Sequence, residues 1–506
     1  MARMPCYKGG GGNCIMPVGV ITSTHSNDEW KPREKDIKHY IHFDRAISPK
    51  KIQKIANDPV AVSRHSFFPL LRFHEQWTKF RSSQKPKENK SRPIRYASRL
   101  DAAIYARYRY ELSKYYEEAL VKNGLFDVPI AYRRLPKQGG GNKCNIDFAR
   151  DVFSFIKDTG DCIVTVVDIK SYFESLDHNK IQSTWEQIFG RSLPEDHFAV
   201  FKSLTKYSIV DVEKLYDRLK IKKKVDTGSR REKRQRKIDV LRSRGHRQIC
   251  SPQEFRKVVA GSDAAYPSLI QKNGFNFGIP QGTPISDLIA NFYLIDFDTE
   301  INEHVSSLGG LYRRYSDDII VVIPAQSVTS VDDMKHLLQT KIKSHGTQLQ
   351  IQDKKVCIGE FKMASGNLKY NYLLGDASKN GLEYLGFEYD GQRIKIKDST
   401  LSNAWRKLKR KSYGNAWRFV SRYRDKGKIW IVNNYPYAYY EKRMLQNVTF
   451  NQDTGFESWT FIKYAQRASK AFIGFNPIFS EQTPRYRKLT QNIIRADLNR
   501  AISKYL

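Results

Sequence analysis

Closely spaced cysteines, long apolar segments and acidic residues are all scarce in this chain. Its six cysteines are scattered without any Cys-x-x-Cys spacing, which argues against a zinc site and against a disulfide framework. No apolar run approaches the length of a membrane span and no signal-peptide segment follows the start, so we expect a cytoplasmic protein. Lys and Arg total 87 against 53 Asp and Glu, a formal net charge of +34. Solubility is the simpler explanation, but an excess this large favours a polyanionic partner.

Two adjacent carboxylates, Asp317 and Asp318, lie in a turn between two short apolar stretches, which predicts a β-hairpin. Like charges in contact repel each other, and a hairpin gains no stability from them. A divalent cation such as Mg²⁺ or Mn²⁺ would remove that cost, because it prefers hard carboxylate oxygens. Taken alone, the pair is also compatible with a solvated acidic turn.

A third carboxylate, Asp168, follows the apolar, β-branched run 162–167, which predicts a strand buried on both faces. Beside the Asp317–Asp318 turn it could complete a site for two cations about 3.5–4 Å apart. Further along, the loop 278–286 contains two glycines and two prolines, which allow the backbone to approach a ligand closely. The apolar spacing of 288–294 predicts a helix packed on a core.

In this order the motifs resemble those of reverse transcriptases. Segment 168–173 resembles motif A, 278–286 resembles motif B, and 315–318 is similar to the Tyr-x-Asp-Asp box. Segments similar to two fingers motifs, motif D and the primer grip follow the family's order at 90–94, 131–149, 354–356 and 382–387. The resemblance implies an α+β fold of the right-hand polymerase type, with fingers, a palm on a three- or four-stranded antiparallel sheet, and a helical thumb.

The resemblance also implies a division of the chain into regions. We expect a flexible Gly-rich tail at 1–26, an N-terminal helical extension at 27–82, and fingers at 83–160. The palm would cover 161–395, with a basic insertion at 206–258. A helical thumb and C-terminal region, rich in basic and aromatic residues, would cover 396–506; from 401 onwards it has 21 basic residues, six acids and 20 aromatics.

The same resemblance implies the metal site and its sugar selectivity. Asp168, Asp317 and Asp318, with the backbone carbonyl of Ile169, would hold two Mg²⁺ ions, with Mn²⁺ as the alternative. Phe173 would be the steric gate whose ring excludes a 2′-hydroxyl, although a core aromatic is the simpler reading of that residue.

Further residues would contact the nucleotide. The resemblance places Gln281 against the nascent base pair, and Arg92 on the triphosphate, helped by a nearby lysine such as Lys90. Lys355 would protonate the departing pyrophosphate as a general acid, and its neighbour Lys354 is a nearly equal choice.

Two regions are candidates for binding nucleic acid. Between 218 and 247 the insertion has 14 Lys or Arg and three acids with almost no aromatics, which suits phosphate contact, although a solvated arm is the alternative. The C-terminal region mixes cations with aromatics and suits a duplex with unpaired bases. The individual candidates, including one from the second fingers motif, are Arg133, Lys222, Lys223, Lys224, Arg230, Arg231, Lys233 and Arg234.

The segment 42–44, the long insertion and the segment 460–465 most resemble bacterial stand-alone, defence-associated reverse transcriptases. Members of that group act against phage, several with a partner non-coding RNA, which implies a structured RNA template, dNTP substrates and a DNA product. Homo-oligomers are compatible with the group. A mobile-element enzyme of the group II intron or retron type and a non-catalytic RNA-binding scaffold are the alternatives.

Some members of the group start synthesis from a hydroxyl of the protein itself. A tyrosine cluster in the C-terminal region therefore supplies candidate priming residues, namely Tyr435, Tyr437, Tyr439 and Tyr440. An ordinary amphipathic surface is the simpler interpretation of this cluster.

Overall fold

The computed structural model describes residues 29–78, 89–137, 139–221, 247–375, 380–446, 449–450, 458–459, 461–483 and 486–506. The strands in chain order are β1 (Leu70–Thr78), β2 (Asn89–Tyr96), β3 (Cys162–Asp168), β4 (Ser208–Asp211), β5 (Gln271–Lys272), β6 (Leu311–Tyr315), β7 (Asp318–Pro324), β8 (Cys357–Ala364), β9 (Asn367–Leu374), β10 (Leu382–Tyr384), β11 (Phe387–Tyr389), β12 (Ile394–Ile396), β13 (Thr449–Phe450) and β14 (Ser458–Trp459).

The helices are α1 (Pro49–Ala56), α2 (Pro59–Ser63), α3 (Arg99–Lys122), α4 (Asn145–Thr159), α5 (His178–Phe189), α6 (Glu195–Thr205), α7 (Val212–Arg218), α8 (Pro252–Glu254), α9 (Ser286–Phe292), α10 (Ile295–Ser307), α11 (Asp333–Ser344), α12 (Asp398–Tyr423), α13 (Gly427–Asn434), α14 (Tyr437–Gln446), α15 (Phe461–Ala471), α16 (Phe479–Gln482) and α17 (Tyr486–Tyr505). The fold mixes helices with mainly antiparallel sheets, so the predicted α+β class is confirmed. No helix in the described ranges has the length and apolarity needed to cross a membrane.

A five-stranded antiparallel sheet, in the order β6-β7-β3-β8-β9, lies at the centre of the fold. The sequence predicts three or four strands here, and the structure has five. The difference arises at the β8–β9 hairpin, where β8 pairs with β3 and β9 adds the outer edge. Most residues of β9 are exposed or half-buried, which is typical of an edge strand and gives a weak apolar signal.

Both faces of strand β3 are buried, as the apolar run before Asp168 predicts. Along β3, Ile163 and Val167 pack into one hydrophobic core, while Val164 packs into a second. The first core contains α3, α5, α9 and α10, and the second contains α4 and the C-terminal helices. Successive side chains of a strand point to opposite faces, so a strand between two helical layers is apolar at every position.

A second sheet has the order β2-β1-β4-β5, and β1 pairs with β2 in an antiparallel ladder. Its strand β1 lies at the end of the segment expected to be a helical extension. The difference has a tertiary cause, because Leu70 and Leu71 are buried and β1 gains hydrogen-bonding partners on both sides, β2 and β4.

The C-terminal region begins with a three-stranded sheet, β10-β11-β12, and is otherwise mostly helical. Trp405, Leu408, Trp417 and Val420 lie on helix α12 with helical spacing. Leu408 and Val420 are fully buried, so this stripe belongs mainly to the core.

Candidate active site

The three predicted aspartates are held at the same end of the five-stranded sheet. Asp168 is the last residue of β3 and Asp318 is the first of β7, and the two are paired directly opposite one another in the antiparallel ladder. The backbone N–H of Ile169 donates to the carbonyl of Asp317 at 2.9 Å. Segments that are about 150 residues apart in sequence are thus joined by backbone hydrogen bonds at the acids themselves.

The turn between β6 and β7 has an uncommon backbone conformation at Ser316, whose φ is +62°. Few residues other than glycine adopt this left-handed region, so the turn needs support from its surroundings. Ser316 is buried, and its carbonyl accepts a hydrogen bond from the Arg314 guanidinium at 3.2 Å. The turn that presents Asp317 and Asp318 is therefore held in place by a hydrogen bond from the buried Arg314 side chain.

Arg314 is the centre of a buried polar network that the sequence does not reveal. Its guanidinium donates to both carboxylate oxygens of Asp298, at 2.7 and 2.6 Å, and neither side chain is exposed to solvent. The Tyr312 hydroxyl donates to the same carboxylate at 2.7 Å, and the carbonyl of Asn291 accepts from Arg314 at 2.9 Å. A bidentate pair of this kind fixes direction as well as distance. The network therefore anchors β6 and its turn to helices α9 and α10.

The acids repel one another in this arrangement. Burial, and then the negative charges of Asp317 and Asp168, raise the pKa of Asp318 to about 7. Burial and the charge of Asp168 also raise the pKa of Asp317. Asp318 as a whole residue is exposed to solvent. The repulsion between its carboxylate and those of Asp317 and Asp168 therefore raises its pKa even though burial is incomplete. The negative charges of the three acids are thus not fully balanced by nearby positive charges.

Lys355 supplies part of the missing charge. Its Nζ lies 2.6 Å from Oδ2 of Asp168, and its side chain is 47% exposed. Lys355 ends a short 3₁₀ turn, and the N–H of Gln352, the residue before that turn, donates to the carbonyl of Asp168 at 2.8 Å. Lys354 is exposed on the same turn. Of the two lysines, Lys355 is the one whose ammonium contacts an aspartate of the site.

The donor chemistry of the three carboxylates fits a hard divalent cation, since added positive charge would relieve the repulsion that raises the pKa of Asp318. As the side chains stand, however, no group of three or more His, Cys, Asp or Glu in the described ranges has an arrangement that could hold a metal ion. In the structure the Lys355 ammonium contacts one carboxylate oxygen of Asp168. Asp168 would have to exchange that ammonium for a cation.

The loop 278–286 is held against the aspartate-bearing segment. The N–H of Ile279 donates to the carbonyl of Phe173 at 2.8 Å, and the carbonyl of Gln281 accepts from the N–H of Arg95 at 3.1 Å. Gly282 has a φ of +117°, and a Cβ there would meet the carbonyl oxygen of Arg95 at 2.3 Å. Only glycine permits this approach. The structure therefore brings Phe173 and Gln281 to the same loop, next to strand β2.

Strand β2 also carries Arg92, which is exposed. Its positive charge opposes the rise in the pKa of Asp317, so the guanidinium lies within electrostatic reach of that acid. The side chain of Lys90 lies outside the described part of the chain. Next to the loop, the carboxylate of Asp287 accepts two hydrogen bonds from Arg109 of α3, at 3.0 and 2.9 Å. This pair ties the start of α9 to α3.

Arg133 requires a correction. Its side chain is 2% exposed and donates to both carboxylate oxygens of Glu117 and to the carbonyls of Phe126 and Pro129. A guanidinium with these partners stabilises the chain around it and is not available to nucleic acid. The other residues predicted to contact nucleic acid all belong to the insertion, between 222 and 234, and lie outside the described residues.

The four tyrosines proposed for priming differ in exposure. Tyr435 is buried, its hydroxyl has no hydrogen-bond partner among the described residues, and burial raises its pKa. Tyr437 and Tyr440 are half-buried, whereas Tyr439 is 55% exposed. A priming hydroxyl must reach the acids and lose its proton, so burial disfavours Tyr435 most.

No family model matches this chain. A stretch of 80 residues is 38% identical to the retron Ec86 reverse transcriptase of Escherichia coli, covering 16% of this chain and 24% of that protein. The chain thus spans about a quarter of the curated relative that it matches. Part of it is similar to a reverse transcriptase.

Among solved structures, the chain is similar to apo telomerase from Candida tropicalis truncated from the C-terminal domain, with a TM-score of 0.35 and 11% identity over 69% of this chain and 61% of that one. It is also similar to telomerase from Candida albicans in complex with a TWJ fragment of telomeric RNA, with a TM-score of 0.34 and 13% identity over 93% and 65%. TM-scores this low support no conclusion about the function of this chain.

Proposed function

We propose that the protein is an RNA-templated DNA polymerase, that is, a reverse transcriptase of the right-hand type. The observation that carries the proposal is the meeting of Asp168 with the Tyr-x-Asp-Asp turn at one end of an antiparallel sheet. The mutual repulsion of these acids supports it, because carboxylates that repel one another destabilise a hairpin and a bound cation would remove that cost. In this reading the five-stranded sheet is the palm, β1 and β2 belong to the fingers, and α12 begins the thumb.

The reaction would join a 3′-hydroxyl to the α-phosphate of a dNTP. Two Mg²⁺ ions, held by Asp168, Asp317, Asp318 and the Ile169 carbonyl, would when bound activate the hydroxyl and stabilise the departing pyrophosphate. Lys355 lies within contact of Asp168 and would donate a proton to the pyrophosphate. The ammonium leaves Asp168 for that purpose, which frees the carboxylate.

The other residues of the site position the nucleotide. Arg92 would hold the triphosphate, since its charge already reaches Asp317. Phe173 and Gln281 would lie against the sugar and the base pair, and the backbone hydrogen bonds of the loop 278–286 keep both near β2. Discrimination against ribonucleotides would follow from the Phe173 ring, which collides with a 2′-hydroxyl.

A paired substitution tests the assignment. Replacing Asp317 and Asp318 with Asn keeps the shape of the turn but removes both charges, and we expect incorporation of radiolabelled dNTP to fall to background. The matched control is Asp332→Asn with Asp333→Asn, because these two acids are also adjacent in sequence and lie at the start of helix α11. Full incorporation by the Asp317/Asp318 variant would rule out the polymerase assignment, and so would an equal loss in both variants.

We further propose a role in antiphage defence, with a bound structured non-coding RNA as template and the DNA product as the active agent or its source. The basis is the sequence resemblance together with the charge of +34. Sequencing the nucleic acid that copurifies with the protein tests the template. Protection of cells against phage should disappear with the Asp317/Asp318 double variant, and protection that survives would break the link between synthesis and defence.

One observation favours a second candidate, a retron-like mobile-element enzyme, since the 80-residue similarity is to a retron reverse transcriptase. Copurifying RNA of one defined sequence, needed for phage protection, favours the defence assignment; RNA from the element that encodes the protein favours the retron-like one. A non-catalytic RNA-binding scaffold would show RNA binding without any dNTP incorporation.

A further inference from the structure

A cavity of about 510 Å³ lies in the C-terminal helical region, remote in sequence from the aspartates. It is formed between α12 and α14, whose lining residues are spaced three or four apart and so share one face on each helix. The volume is within the range of about 300–1,000 Å³ that is usual for small-ligand sites. Neither the proposed polymerase reaction nor the packing of the helices accounts for this space.

Cations line the cavity on both helices. Lys411, Arg418 and Arg422 come from α12 and Arg443 from α14, and the described residues that line the space include no Asp or Glu. Burial, and then the charges of Arg443 and further basic residues of α12, lower the pKa of Lys411. Burial raises the pKa of the Tyr440 hydroxyl, and the positive charges of Arg418 and Arg443 oppose that rise. Cations from both helices therefore lie near this hydroxyl. Positive charges held together in this way cost free energy until an anion binds.

Aromatic rings line the same cavity. Phe419 and Tyr423 come from α12, and Tyr439 and Tyr440 from α14. The Tyr439 ring is 55% exposed, and its hydroxyl accepts a hydrogen bond from Arg443 at 2.8 Å. An exposed ring fixed beside a guanidinium offers a stacking surface next to an anion site. Inorganic phosphate would need the cations but not the rings.

We propose that this cavity binds a nucleotide, with its phosphate on Arg418, Arg422 and Arg443 and its base stacked on Tyr439. The nucleotide is either an unpaired nucleotide of an RNA strand or a free one, since both present the same phosphate and base. The inference goes beyond the polymerase assignment, because it requires nothing from the three aspartates. A polymerase-inactive protein would still bind at this site.

Photo-crosslinking of the full chain tests the proposal with two probes. One is 8-azido-ATP, for a free nucleotide, and the other is a single-stranded RNA that contains 4-thiouridine. After proteolysis, mass spectrometry should find label within residues 411–444. Label from both probes supports a site for free nucleotides, and label from the RNA alone supports an unpaired nucleotide of a strand. No label in 411–444 from either probe overturns the proposal.

A matched pair of charge reversals makes the test specific. Arg418→Glu should lower the label in 411–444 about tenfold or more, the loss expected for a charge-assisted hydrogen bond. Arg406→Glu is the control, since both arginines lie on α12 and each donates to the carbonyl four residues earlier and to an Asn three residues earlier. Arg406 does not line the cavity. Equal labelling of the Arg418→Glu and Arg406→Glu proteins overturns the proposal.

Substitutions of Tyr439 separate stacking from folding. Tyr439→Phe keeps the ring and should retain most of the label, whereas Tyr439→Ala should lose it while the circular dichroism spectrum stays unchanged. If Tyr439→Ala is labelled as strongly as Tyr439→Phe, the base does not stack there and the proposal fails. The dNTP incorporation rate, measured on the same proteins, reports separately on the polymerase site.

Discussion

The two neighbouring lysines of the 3₁₀ turn at 353–355 offer a direct test of proton transfer. Lys355 contacts Asp168, whereas Lys354 shares its exposure on the same turn. We expect Lys355→Gln to slow dNTP incorporation by about 10²–10⁴-fold, the usual contribution of a general acid. Lys354→Gln is the control and should stay near the wild-type rate. If Lys354→Gln is the slower enzyme, Lys354 and not Lys355 supplies the proton.

The buried pair between Arg314 and Asp298 predicts a large effect on stability. Asp298→Asn leaves the Arg314 guanidinium buried with its charge unbalanced, and should lower the free energy of unfolding by about 3–5 kcal/mol. Lys341→Gln removes a pair with Glu300 in which both side chains are more than 40% exposed, and should cost less than about 1 kcal/mol. Denaturant unfolding of both variants measures the difference. Similar losses would mean that the buried network does not hold the turn.

These two predictions differ in how far the sequence could lead to them. The meeting of Asp168 with Asp318 could be predicted, because strand patterns and motif order place both acids at strand ends. The role of Arg314 could not, since one arginine in a short strand is normally solvated. The available signal is its spacing of two from Tyr312, which places both on one face. Arg133 shows the opposite error, a predicted surface cation whose side chain is almost fully buried.

Loop 278–286 owes its position to a close approach of two backbones, and this predicts a specific effect of a single methyl group. Gly282→Ala puts a Cβ 2.3 Å from the Arg95 carbonyl oxygen, so the loop must move and carry Gln281 with it. Gly366→Ala is the control, since Gly366 also has a positive φ, +76°, but nothing lies within 4 Å of its Cβ position. Both should lose about 1 kcal/mol to backbone strain.

Only Gly282→Ala should also lose dNTP incorporation. Thermal unfolding separates the shared strain from the added clash, and the incorporation rate reports the displaced loop. An active Gly282→Ala enzyme would show that the loop position does not matter for the reaction.

The elements that the sequence misjudged share a physical cause. Strand β1 was expected within a helical extension, and β9 was not counted in the central sheet. In both cases membership of the sheet depends on a pairing that is distant in sequence, which is β1 with β4 for the first strand and, for the β8–β9 hairpin, β8 with β3. Local patterns do not report such pairing. Helix α9 overlaps the helix predicted at 288–294, because its apolar spacing is a local pattern.

Much of the net positive charge of the molecule lies in two segments outside the candidate active site. Segment 222–246 contains 11 Lys or Arg against three acids, and the C-terminal region from 401 onwards adds 21 against six. If both bind RNA phosphates, binding releases counterions and the logarithm of the binding constant falls linearly with the logarithm of the salt concentration. The slope then reports how many phosphates are neutralised, which separates a polyanion-binding surface from charge that serves solubility alone.

A matched set of neutral substitutions uses this slope. Lys222, Lys223 and Lys224 changed together to Gln should reduce the slope for a structured RNA by about 0.7–0.9 for each phosphate that is no longer neutralised. Lys50, Lys51 and Lys54 on α1 are exposed, and changing them to Gln removes the same charge from another surface. Their slope should equal that of the wild type, because charge outside the binding surface affects only the long-range field. Equal slopes in all three proteins would mean that the insertion is a solvated arm, and that the RNA is held elsewhere on the molecule.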